Sequence, residues 1–228
     1  MMQDRTASVL HAAISEFIRT GEPISSGSLY RDYVFGIRPA MIRNELHHLT
    51  ESGYLEQPYH SAGRVPTDRG YEFFAARALL TDAEAPRFMK RCEPLFQRSA
   101  WSELLSVLSN ELGVLGVVED LSEGDVHKEG LDDLVDHLDW ESRAEVHGVI
   151  QDFEAIDERL EMVRAVLSDD TLGVFVGKRS PVTKSDNLSV IATEYTPEDK
   201  AVLMLIIGPK RMDYQKVIAI FKRFHTLV

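Results

Sequence analysis

Residues 38–71, RPAMIRNELHHLTESGYLEQPYHSAGRVPTDRGY, constrain this chain more than any other stretch, because they place one helix, two short strands and a Gly-Arg loop in immediate succession. Pro39 suits the first turn of a helix, where its missing N–H would have no partner in any case. Ile42, Leu46 and Leu49 then recur at the spacing of one helical face, and Gly53 ends the helix. Tyr54 to Pro58 and Val65 to Thr67 read as strand pieces around the loop YHSAGR, and Pro66 makes the second an edge strand.

The flanking residues complete a domain. Val9, Leu10, Ala13, Ile14, Phe17 and Ile18 give a first helix from Asp4 to Thr20, stopped by Gly21. Ser25 or Ser26 caps a short second helix reaching Tyr33, which Gly36 breaks, and Thr67 or Asp68 caps a fourth that runs to about Leu80. Three helices, a hairpin and a closing helix are the parts of a winged helix-turn-helix domain, expected over residues 1–80. The small and acidic stretch TDAEAPR at 81–87 is the expected linker.

Beyond it, Phe88 to Leu112 reads as one helix and Val114 to Val118 as a buried strand, followed by an acidic segment at 119–140. A long amphipathic helix is expected from about Glu141 to Leu167, with Val146, Ile150, Phe153, Ile156, Leu160, Val163 and Leu167 on its inner face. Leu172 to Val176, Leu188 to Thr193 and Ala201 to Ile207 are three strands expected in one small antiparallel sheet. Asp213 caps a final helix through Val217, Ile218, Phe221 and Phe224. The fold class expected is α+β.

Composition narrows the class of function. No apolar run is long enough to span a bilayer and no signal-like segment opens the chain, so a cytoplasmic protein without membrane contact is expected. The single cysteine, Cys92, excludes an internal disulfide and a cysteine-rich zinc site, and is expected as a buried small hydrophobe. A net charge of −12 is unusual for a protein that grips phosphates, yet its distribution is uneven. Asp plus Glu against Lys plus Arg is 9 to 8 over residues 1–80, 18 to 4 over 119–170, and 5 to 9 over 171–228. Every basic residue of the first 80 is arginine, the side chain suited to bidentate contacts of fixed geometry.

The angular step of the third helix puts Arg43, Asn44, His47 and Glu51 opposite its apolar stripe, with His48 at the side. Arginine can bond guanine edges and asparagine adenine edges, so this face has the chemistry of base readout. By itself it is also what any solvated helix face shows. The loop that follows adds His60, Ser61, Gly63 and Arg64, a turn whose side chains can bond phosphate oxygens or enter a minor groove. Helix and basic loop in this order favour double-stranded DNA as the partner. An enzyme is not expected: adjacent His47 and His48 diverge on a helix, no Gly-rich phosphate loop or nucleophile elbow is present, and no metal or cofactor set is clustered. The alternatives are a protein-docking module, with its winged helix degenerate and the 141–167 helix as the docking face, and a ligand-sensing regulator.

GEPISSGSLYRDY, the helix-strand segment RPAMIRNELHHLTESGYLEQPY and SAGRVPTDRGY resemble the N-terminal domain of the heat-inducible transcription repressor family, HrcA, almost continuously over residues 6–75. LSVIATEY at 188–195 and GPKRMDYQKVI at 208–218 are similar to that family's C-terminal GAF-like domain. The resemblance implies a homodimeric repressor that binds an inverted-repeat operator upstream of chaperone genes, leaves it after heat stress, and is helped by a chaperonin. It puts recognition on Arg43, Asn44 and His47, and the wing on His60, Ser61, Gly63 and Arg64. Where the family has Ser before the helical proline, this chain has Arg38, which gives up a side-chain cap and brings a cation to bond phosphate. In place of the family's long middle segment, with its dimerisation domain, stands only EDLSEGDVHKEGLDDLVDHLDW, so a reduced GAF-like domain over 88–228 is expected.

Overall fold

The computed structural model describes residues 4–59, 61–138, 143–167, 172–196 and 200–228. The chain divides into two compact units, Met1–Arg77 and Ala78–Val228.

The first unit is built from α1 (Asp4–Thr20), α2 (Ser26–Asp32), α3 (Pro39–Glu51), a hairpin of β1 (Leu55–Glu56) and β2 (Val65–Pro66), and α4, which starts at Asp68 and runs to Leu80. The sequence signals act where their chemistry puts them. Ser25 caps α2 in a reciprocal box with Ser28, and Thr67 caps α4 by accepting from the Gly70 N–H at 3.2 Å. Gly21 and Gly53 take positive φ just past the ends of α1 and α3. Val9, Leu10, Ile14, Leu29, Ile42, Leu49 and Leu55 are fully buried and knit the three helices to the hairpin. A chain of polar groups ties the hairpin to the C-terminus of α3. Thr67 Oγ1 donates to the Gly53 carbonyl at 2.7 Å, while Arg69 donates to the Ser52 carbonyl at 2.7 Å and lies over the Tyr54 ring.

The second unit is a five-stranded antiparallel sheet in the order β4-β3-β7-β6-β5 with helices on both faces. Its strands are β3 (Leu115–Asp120), β4 (Val126–Glu129), β5 (Gly173–Val176), β6 (Leu188–Tyr195) and β7 (Val202–Pro209). One face, with Val117, Val190, Leu203 and Leu205, packs on Leu134 of α7 (Leu131–His137) and on Val149, Ile156, Leu160 and Val163 of α8 (Arg143–Val166). The other is covered by α5 (Met89–Gln97), α6 (Trp101–Leu112) and α9 (Tyr214–His225). There Leu105 packs closely on Gly116, where a Cβ would lie 2.7 Å from the leucine Cδ2, and the Tyr195 ring meets Phe96, Phe221 and Phe224. Asp213 caps α9, as its position in the sequence suggests.

Four expectations are corrected. The single helix over 88–112 is two, because Ser99 adopts a left-handed φ of 55° and the chain reverses between Phe96 and Trp101, whose rings then meet edge to face. The acidic stretch after β3 is not a bare solvated run: Asp120 accepts from the Ser122 and Glu123 N–H groups, turning the chain into β4, and α7 follows. The Ser122 N–H and its neighbour hold the Asp120 carboxyl below its ordinary range. The sheet therefore has five strands rather than the expected few. Finally, α8 keeps the expected stripe at Ile156, Leu160 and Val163, with Phe153 and Leu167 packed beside it, but in its first half Val149 and Asp152 are buried and Ile150 is 40% exposed. Asp152 is drawn inward because three N–H···O contacts from Lys184 and Ser185 and one bond from Arg159 satisfy its carboxylate.

Cys92 is fully buried, as expected, and burial pushes its thiol up to about 11.

Candidate nucleic-acid interface

α3 begins at an extended Arg38, which makes no side-chain cap, and continues from Pro39 at its first turn. Ile42, Leu46 and Leu49 are buried as the periodicity requires, and Arg38, Arg43, Asn44, His47 and His48 are exposed on the other side. His47 lies 3.5 Å from Glu51, one turn on. The buried side holds one residue that the apolar pattern did not mark. Glu45 accepts from Arg5 Nε at 2.7 Å and from Thr6 Oγ1 at 2.8 Å, pinning α3 to α1. The signal for it was faint: an acid beside Leu46 on the inner face, with a basic and a hydroxyl residue opening α1.

The arginines of this unit sort by what holds them. Arg5 pairs with Glu45, Arg19 with Glu16 and Arg31 with Asp32. Arg64 Nε donates to Thr50 Oγ1 at 2.9 Å, Arg69 is tied to Ser52 and Tyr54, and Arg77 lies 5.9 Å from the Phe73 ring centroid. Among the described residues of this unit, the guanidinium groups without such engagement are those of Arg38 and Arg43. Both belong to the start of α3, next to exposed Asn44, and that end is where a helix presents itself to a groove floor or a phosphate.

The hairpin loop is closed by Gln57 Nε2 donating to the Ala62 carbonyl at 2.9 Å and by the Ala62 N–H donating to the Tyr59 carbonyl at 2.8 Å. Its exposed side chains are Pro58, Tyr59 and Ser61, with Tyr59 65% exposed; His60 lies outside the described residues. Gly63 and Arg64 stand at the base of the loop, half-buried. A Cβ on Gly63 would lie 2.5 Å from the Ile24 carbonyl oxygen and 2.6 Å from the Pro23 carbonyl carbon, so the glycine serves a close approach of two backbones. Arg64 exchanges both backbone bonds with Ile24, at 2.8 and 2.7 Å, making a third short strand pairing beside the hairpin. Helical angle put Arg43, Asn44, His47 and Glu51 opposite the apolar stripe with His48 at the side, and all five are exposed, with Arg38 exposed just before the helix. Gly63 and Arg64, expected within the basic turn, stand at the base of the loop next to β2.

No group of three His, Cys, Asp or Glu side chains among the described residues could hold a metal ion, and no helix there is long and apolar enough to cross a membrane.

Comparison with known proteins adds likenesses to relatives, to a solved structure and to a family model. The chain is 48% identical over 73 residues to the heat-inducible transcription repressor HrcA of Thermoanaerobacter sp. (strain X514), and 49% identical over 73 residues to that of Moorella thermoacetica. It is 48% identical over 77 residues to that of Bifidobacterium longum (strain DJO10A). Each match covers about a third of this chain, 32% to 34%, and 21% of the relative's own length. A crystal structure of a hypothetical protein shares the fold, with a TM-score of 0.81 at 14% identity, covering 99% of this chain and 97% of the other. The family model of the HrcA protein C-terminal domain matches residues 82–218, well over half of the sequence. With that match the chain belongs to the HrcA family.

Proposed function

We propose that the first unit is a winged helix-turn-helix that binds double-stranded DNA, with α3 in the major groove and the hairpin as the wing, and that the second is a reduced GAF-like domain. The observation that carries this reading is the pair of unengaged arginines, Arg38 and Arg43, beside Asn44 at the exposed start of a helix whose other side is locked by Glu45 and the apolar core. Arg43 and Asn44 have the fork and amide chemistry for base edges, and Arg38, His47 and His48 stand where phosphates flank them. Ser61 and the backbone of the loop supply the wing contacts, with His60 beside them in sequence.

In the cell the chain acts as a transcriptional repressor of heat-shock chaperone genes in the cytoplasm, binding an inverted-repeat operator as a homodimer and drawing on a chaperonin for its active form. The names of its relatives support the repressor role. The dimer follows from energetics: 8 basic against 9 acidic residues over 1–80 leave one half-site contact weak, and two half-sites raise affinity and specificity together. No catalytic step and no cofactor enters this reading.

The test is selection of duplexes from a random pool by the full chain, followed by anisotropy titration. An enriched inverted repeat is expected, with Arg43→Ala weakening binding to it by about 1–3 kcal/mol at 25 °C. A pool that yields no enriched sequence, or an Arg43→Ala variant as tight as the parent, overturns the proposal.

A further inference from the structure

Arg64 was expected among the wing residues that contact DNA. Its surroundings assign it another task. Four features converge at this residue. Its backbone pairs with Ile24 in the α1–α2 connection, through bonds of 2.8 and 2.7 Å. Its Nε donates at 2.9 Å to Thr50 Oγ1 in the last turn of α3. That hydroxyl is itself held, donating to the Leu46 carbonyl at 2.9 Å on the buried side of the helix. Gly63, immediately before, has no room for a Cβ against Pro23 and Ile24.

Resting on the DNA-binding reading above, we propose that Arg64 is a positioning residue: it fixes the angle between wing and recognition helix, and acts on DNA through Thr50 and Ile24 rather than by touching it. The hairpin alone could not hold that angle. β1 and β2 pair over only two residues each, a ladder too short to be rigid by itself. The loop beyond them would swing about its base unless something ties the base to α3. Thr67 and Arg69 tie the chain just after β2 to the end of α3, while Arg64, immediately before β2, reaches back into α3 itself, and its planar fork holds a direction that a flexible ammonium would not. The described residues at the loop's tip, Pro58, Tyr59, Ser61 and Ala62, carry no charge, so their contacts with DNA are short-range hydrogen bonds and packing. Such contacts are lost when a wing is displaced by an ångström, whereas long-range attraction is not.

The experiment separates contact from positioning by removing the tie and keeping every charge. Thr50→Val is isosteric, leaves Arg64 in place and deletes the acceptor. On the duplex selected by the parent protein, at pH 8, it is expected to bind about five- to tenfold more weakly, with an unchanged slope of affinity against salt. Hydroxyl-radical footprints should lose the wing protections and keep those of α3. Arg64→Lys, which keeps the charge without the Nε donor, should match it. The double variant Thr50→Val/Arg64→Lys should be no weaker than either single one, which a merely additive effect on stability would not produce. Thermal melts of the free variants verify that they are folded at the assay temperature.

Two results overturn the proposal. One is a Thr50→Val variant that binds like the parent. The other is an Arg64→Ala variant that loses about one unit of salt slope and much more affinity than Thr50→Val, the mark of a phosphate contact. Failure of the DNA-binding reading itself would look different, because then Arg43→Ala would change nothing either.

Discussion

Replacing Asp152 by asparagine tests the least expected feature of the second unit. The carboxylate is 3% exposed and accepts the Lys184 N–H at 2.8 and 2.9 Å through its two oxygens, the Ser185 N–H at 2.8 Å, and Arg159 Nη1 at 2.8 Å. Asparagine keeps the shape but turns one acceptor into a donor. With the amide nitrogen at Oδ2 the Ser185 N–H loses its acceptor, and with it at Oδ1 the Arg159 N–H does, while the Lys184 N–H keeps the remaining oxygen either way. Either way at least one buried N–H loses its partner, a loss of about 1–3 kcal/mol, and Arg159, 15% exposed, loses its counter-charge. Together these come to roughly 3 kcal/mol, the lower edge of what breaking a buried ion pair costs. For a unit of this size each kcal/mol lowers Tm by roughly 2–4 °C, so a fall of about 6–12 °C is expected. Trp101 is buried in the second unit and residues 1–77 contain no tryptophan, so its fluorescence reports that unit's melting without interference from the first. A shift under about 3 °C would refute the reasoning, since it would mean that the 183–185 loop satisfies its N–H groups without Asp152.

Glu45→Gln should loosen α3 from α1 by removing the charge that Arg5 and Thr6 share, weakening affinity for the selected duplex while leaving tryptophan-detected melting unchanged. Glu119 is held above the ordinary carboxylate range by burial, with Arg164 at 3.8 Å only partly offsetting it. A raised carboxyl pKa contributes its stability below the unfolded value and loses it as pH rises through the folded one. Glu119→Gln should therefore be more stable than the parent to urea at pH 7.5, the gap closing near pH 4; a less stable variant at pH 7.5 would show that the Arg164 attraction dominates. With its thiol pushed up to about 11, Cys92 at pH 8 is thiolate to only about one part in a thousand. A thiol reagent should leave the native chain unlabelled over minutes and react at once in urea. Gly63→Ala should lower duplex affinity by shifting the wing base off Ile24, and normal affinity would contradict the close approach there.

The first unit was legible because its instructions are local. Capping serines, a proline at a helix start, glycines past helix ends and a 3.6-residue stripe each act within a few residues, and each stands where expected. The second unit depends on pairings that no local signal carries. Ser99 in a left-handed turn gives no warning in a run of helix formers, and an acidic stretch hides a strand because Asp120 spends its charge on a turn. Asp152 is the clearest case: a charged residue takes an inward position only because a loop more than thirty residues away offers it three N–H contacts. At the site, the outward face of α3 was readable from angle alone. The inward lock at Glu45 and the tie at Arg64 depend on Arg5, Thr6, Ile24 and Thr50, which are close only after folding.

β7 lies between β3 and β6, so it completes the sheet from its middle although it is the last strand made. During synthesis β3 emerges first and can pair with β4, but its other edge stays open while some eighty further residues are added. At ribosomal speeds of roughly 5–20 residues per second, that is an interval of roughly 4–16 s. The first unit, whose strands and helices all lie within 80 residues of the start, has emerged before this interval opens. A newborn chain thus acquires its α3 surface well before its β-sheet, and the open edge of β3 is where it is most exposed to mispairing with a neighbour on the same polysome.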